Sequence, residues 1–137
     1  MVDYLGVLVA TAAAFAVGAL WYGPLFGRKW RSLMGFGEGQ VGAQGAAGQG
    51  MPMIGAMANG FIATLILVWA LNFLMTSFSV AGIAGALALS LLISLGFIAT
   101  TTANSVFYER RPWGLYFINA SHYIVALAVA ALVLVYI

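Results

Sequence analysis

Four runs of apolar residues, each long enough to cross a bilayer, leave this chain little choice of fold. A spanning helix needs about 20 mostly apolar residues. Stretches meeting that requirement run over residues 4–26, 53–77, 80–108 and 113–137. Between and within them the chain is 64% hydrophobic and only 6% charged, with mean hydropathy +1.07. Soluble domains carry roughly 25% charged residues, so a water-soluble fold is excluded. Spanning β-strands are shorter and alternate in polarity; these runs do neither. The expected architecture is all-α: four transmembrane helices in an antiparallel bundle, forming a single domain over residues 1–137. The third run exceeds what a perpendicular helix needs, which predicts tilt or protrusion.

The first run is expected to be a retained helix. A cleaved leader carries positive charge before its apolar core; here Asp3 precedes the core and Arg28, Lys29 and Arg31 follow it. The stretch 35–51 is Gly-, Ala- and Gln-rich and reads as a flexible loop, since glycine is costly to order. It lacks the lysine and the strand–helix setting of a phosphate-binding loop. Thr76-Ser77-Phe78-Ser79 makes a short uncharged turn, and Glu109-Arg110-Arg111-Pro112 a charged one. Pro112 suits a first helical position, where its missing N–H costs nothing. All five basic residues fall in the first and third connections. Basic residues favour the cytoplasmic side, so both termini are expected outside. Trp21, Tyr22, Trp30, Tyr108, Trp113 and Tyr116 then form an aromatic belt at the cytoplasmic interface, with Tyr4 and Tyr136 at the other.

Helix association in lipid depends on close packing through small residues. Gly6, Ala10, Ala14 and Gly18 make one four-residue ridge; Gly82, Ala86, Ser90 and Ser94 make another, with Gly96 and Thr100 on a neighbouring strip. The two ridges could pack against each other, or either could face a second copy.

The polar residues concentrate between Thr100 and Tyr123, where the only His lies. With the turn centred near residue 111, depth matching predicts pairs: Asn104 with Asn119, and Thr100 or Thr101 with His122. Counting from Trp113 at 1.5 Å per residue, His122 lies roughly 14 Å deep, near the midplane of a core about 30 Å thick. An unpaired polar group there costs several kcal/mol. Thr100, Thr101, Asn104, Asn119 and His122 thus form a candidate intramembrane polar cluster that fixes the hairpin register. The alternative is a proton or solute relay through His122, because ionisable groups inside membranes are functional candidates by default. One His can also supply a single axial ligand to a tetrapyrrole. Asn59 and Asn72 are expected to pair helices. Glu109, Arg110 and Arg111 form a turn cluster suited to topology and headgroup contact. Cysteine is absent, and no acid lies near His122, so no protein-only metal site is expected. No nucleophile–base–orienter set exists, and there is no basic face for nucleic acid. The expected function is non-enzymatic, without a cofactor: a small homo-oligomeric or accessory structural subunit in the bilayer, with a channel or transporter as the alternative.

Two segments carry a family resemblance. Residues 12–35, AAAFAVGALWYGPLFGRKWRSLMG, resemble the N-terminal signature of the membrane proteins called domain of unknown function 1761, through Gly18, Leu20, Trp21, Tyr22, Pro24, Leu25, Phe26, Gly27, Trp30, Met34 and Gly35. Residues 96–123 resemble that family's second signature through Gly96, Phe97, Thr100, Asn104, Glu109, Arg111, Pro112, Asn119 and His122. The resemblance implies four helices, a bacterial inner membrane and no established activity. The glycine-rich first connection departs from the family's more charged pattern.

Overall fold

The computed structural model describes residues 4–34, 53–110 and 112–136. The expected loop 35–51 and Arg111 lie outside the described residues. Every regular element among the described residues is helical. Four helices are long and apolar enough to cross a membrane: Tyr4–Leu25, Met57–Ser77, Gly82–Thr102 and Trp113–Tyr136. They are called here the first to fourth spans. The second continues a helix that begins at Met53. A short helix, Gly27–Met34, follows the first span.

The third run is helical over almost all of residues 80–108. Helix begins at Gly82, passes a turn residue at Ala103 and continues over Asn104–Phe107. Ala103 keeps helical φ and ψ, its N–H bonds the Ala99 carbonyl and its own carbonyl accepts from Phe107, so the rod is tightened there and not broken. Two wider π-helical turns interrupt the spans, at Trp21–Leu25 and Ser94–Ala99. The first holds Pro24, which has no N–H to donate and whose ring crowds the preceding turn. Widening accommodates it: the Phe26 N–H reaches back five residues to the Trp21 carbonyl at 2.9 Å. Beside the second, Thr100, Thr101 and Thr102 bond back to the carbonyls of Gly96, Phe97 and Ile98. Such hydroxyl back-bonding competes with the helix ladder and bends it.

The turn between the second and third spans is a Schellman motif. Val80 N–H bonds the Met75 carbonyl (2.8 Å) and Ser79 N–H bonds that of Thr76 (3.2 Å). Ser79 takes the left-handed conformation (φ 52°) the motif requires, and Gly82 (φ 82°) then turns the chain into the third span. Val80 packs on the core that contains Met75, supplying the hydrophobic contact that usually accompanies the motif.

The fourth span is the hub. Its share of buried residues is the largest, 33% against 22–28% for the others. The first and third spans both pack on it, and the second packs mainly on the first. Gly6, Ala10 and Ala14 of the first ridge are buried, as are Ala86, Ser90 and Ser94 of the other. Both ridges therefore face inward, toward the hub rather than toward each other. They meet Ala126, Leu127, Ala130 and Ala131, all buried. Small residues on both sides let backbones approach closely, where dispersion rather than water release supplies the attraction. The buried hydroxyls of Thr11, Ser90 and Ser94 are satisfied within their own helices, on the carbonyls of Val7, Leu87 and Ser90.

Candidate functional site

The polar groups meet where the end of the first span lies against the fourth. The Trp21 indole N–H donates to the Ile118 carbonyl at 3.0 Å. The Tyr22 hydroxyl donates to Asn119 Oδ1 at 2.6 Å. One turn deeper, the His122 ring packs edge-on against Tyr22, centroids 5.1 Å apart, and touches Tyr123 on its other side. His122 Nε2 lies against Gly18: a Cβ at that glycine would stand 3.1 Å from it. The absence of a side chain at Gly18 is what admits the imidazole. His122 Nδ1 is buried and has no hydrogen-bond partner among the described residues.

The third span joins at the same level by one bond. The Tyr116 hydroxyl donates to the Ala99 carbonyl at 2.9 Å. Ala99 closes the second π turn, and its carbonyl also accepts the Ala103 N–H at 3.1 Å, so Tyr116 bonds an oxygen the helix already uses. Three aromatic donors, on two spans, thus tie three spans together in one layer.

The depth-matched pairs expected across the hairpin do not form. Asn119 turns to Tyr22 instead of Asn104. His122 faces Gly18 and Tyr22 instead of Thr100 or Thr101. Thr100 and Thr101 are exposed and satisfied by their own helix, and Asn104 is exposed. Equal depth brings residues level but does not fix rotation about the helix axis, and the hub presents this face to the first span. Of the five cluster residues, the structure brings Asn119 and His122 together and leaves the other three outside. In the turn, Glu109 and Arg110 are exposed, and Arg110 takes the left-handed conformation (φ 57°) that reverses the chain.

The residues missed from sequence are Gly18, Trp21, Tyr22 and Tyr116. The aromatics read as an interfacial belt, and Gly18 as one member of a ridge. Pro24 was the available signal: a proline inside a spanning helix frees backbone groups and leads to π turns, which occur often at functional sites.

Tyr22→Phe tests the layer. It removes a hydrogen bond that is worth about 0.6–2 kcal/mol in membranes while keeping the ring against His122. The expected result is a thermal unfolding midpoint in detergent lowered by a few degrees, with helical content unchanged; an unaltered midpoint counts against the bond.

Four helices long and apolar enough to cross a bilayer make this a multi-pass membrane protein. The chain belongs to a family described as protein of unknown function (DUF1761), whose pattern matches residues 5–135. No curated protein matches the chain, and no solved structure matches it.

Proposed function

We propose that this protein is a non-enzymatic membrane subunit that associates with copies of itself, or with a larger membrane complex, in the bacterial inner membrane. Both small-residue ridges are used internally, so they are not the oligomer contact. One strip of small and polar side chains is left facing outward on the third span: Gly96, Thr100, Thr101 and Asn104, all exposed. That outward strip is the observation that carries the reading, because small and hydroxylated residues on lipid-facing helices favour helix pairing. The bundle is antiparallel in this reading, supported by contacts whose numbers fall on one helix as they rise on the other: Gly18 with His122, and Tyr22 with Asn119. The short helix Gly27–Met34 and the turn at Arg110 lie on the cytoplasmic side and both termini outside, following the basic residues.

Gentle solubilisation followed by native mass spectrometry tests it. A defined oligomer, reduced to monomer by Gly96→Leu/Thr100→Leu, is expected; a clean monomer of the unmodified protein without any partner overturns the proposal.

A second reading has its own observation. His122 Nδ1 is a buried ring nitrogen, roughly at mid-membrane, without a partner among the described residues. Proton or small-solute passage past His122 and Asn119 would use it. Flux into proteoliposomes across pH, with His122→Ala as control, decides this: flux equal to empty vesicles removes the reading. A separate apolar cleft of about 350 Å³ lies between the first and second spans, lined by Tyr4, Val7, Leu8, Leu65, Ile66 and Trp69.

A further inference from the structure

We propose that the end of the molecule carrying Arg28, Lys29 and Arg110 is a docking surface for the headgroups of anionic phospholipids. The inference is independent of the oligomer and transport readings. It starts from how charge is distributed once the chain is folded. Trp21 and Tyr22 seat the end of the first span on Ile118 and Asn119, within two turns of the start of the fourth. The short helix Gly27–Met34 then packs against the fourth span, burying Gly27 and leaving Arg28 and Lys29 exposed. Arg110 is exposed three residues before Trp113, in the turn that feeds the same span. Three cations therefore gather at one end of the bundle, against one carboxylate among the described residues there, Glu109. The opposite turn, residues 78–81, carries no charge.

The same end has an exposed aromatic collar. Tyr108 is 82% exposed, and Phe107 and Trp113 are also exposed. Phe107 and Trp113 meet edge-to-face at 5.9 Å, and Trp113 stacks on Phe117. Aromatic rings of this kind sit at headgroup level, and long basic side chains extend from that level toward phosphates. The collar thus holds the guanidinium and ammonium groups at the height of lipid phosphate, with apolar span surface below for the acyl chains. Charge complementarity selects the occupant. A zwitterionic headgroup offsets its phosphate with its own ammonium, whereas an anionic one such as phosphatidylglycerol leaves the three cations a net negative partner. Basic groups near an anionic surface contribute roughly a fivefold gain in binding each.

Brominated lipids report the contact through quenching of tryptophan fluorescence in mixed micelles of the intact protein. Brominated phosphatidylglycerol is expected to quench at much lower mole fraction than brominated phosphatidylcholine. Arg28→Gln/Lys29→Gln/Arg110→Gln should erase the difference, losing roughly fivefold in relative association constant per cation. If that variant does not fold, a salt titration of the unmodified protein serves. Preference for phosphatidylglycerol should collapse toward about 1 M salt, where the Debye length falls to ~3 Å. Equal quenching by the two lipids, or a preference indifferent to both salt and the triple substitution, overturns the proposal. So does displacement of phosphatidylglycerol by inorganic phosphate, which would mark a site for a free anion.

Discussion

Gly18→Leu is expected to force the first and fourth spans apart and to cost about 3 kcal/mol of stability, the upper end for overpacking a filled interior. The reason is the 3.1 Å between a Cβ at this position and His122 Nε2. A Cβ there is tighter than ordinary van der Waals contact. Gly18→Ala asks His122 to give by a few tenths of an ångström and should cost about 1 kcal/mol. Leucine asks the whole ring to leave. His122 cannot leave alone, because its ring supports Tyr22 and Tyr22 holds Asn119. The layer is lost together. Gly60→Ala serves as control, since its Cβ would meet Phe15 at an ordinary 3.8 Å; it should stay within about 0.5 kcal/mol. Thermal melts in one detergent compare the three. Adding His122→Ala to Gly18→Leu should recover part of the loss, because the two positions are in contact and their effects do not add. A Gly18→Leu protein that melts with the parent, or a double variant with no recovery, refutes the account.

That prediction was out of reach of the sequence for an identifiable reason. Span existence was legible, because four apolar runs of sufficient length admit only helices in lipid. The spacing of the polar residues along each span was legible too, since a helix rises 1.5 Å per residue. Rotation was not. Asn119 and His122 share a face of their helix, but the sequence does not say whether that face looks at the third span or the first. The connecting turn made the third span the natural choice. The threonines then removed the need for it: Thr100, Thr101 and Thr102 find acceptors one turn back in their own helix, so they require nothing across the hairpin. Asn119 was left to take the strongest donor within reach, the Tyr22 hydroxyl, whose position depends on the π turn around Pro24. The same limit applied to the two ridges. Four-residue spacing shows that Ala86, Ser90 and Ser94 share a strip; only their burial shows that the strip is inside.

Asn72→Leu is expected to stabilise the protein, the opposite sign to the helix-pairing role that a lone amide suggests. Asn72 is only 7% exposed, and its Nδ2 is buried without a hydrogen-bond partner among the described residues. Its neighbours along the helix on the core side, Val68, Leu71 and Met75, are apolar and buried. The contrast with the other buried polar side chains decides the sign. Thr11, Ser90 and Ser94 each have one hydroxyl, and each has an acceptor in its own helix. An amide brings two N–H donors on a longer, planar group, and Nδ2 of Asn72 reaches no acceptor among the described residues. A buried donor left unsatisfied costs about 1–3 kcal/mol, and leucine, close in shape, removes that cost while keeping contact with Val68 and Met75. The unfolding midpoint of Asn72→Leu should therefore rise in detergent, while Leu71→Ala, at a fully buried position one residue earlier, should fall by about 2–5 kcal/mol. A lower midpoint for Asn72→Leu, accompanied by a shift from oligomer to monomer, would give Nδ2 an acceptor on a second chain. That result would move the association surface from the third span to the second.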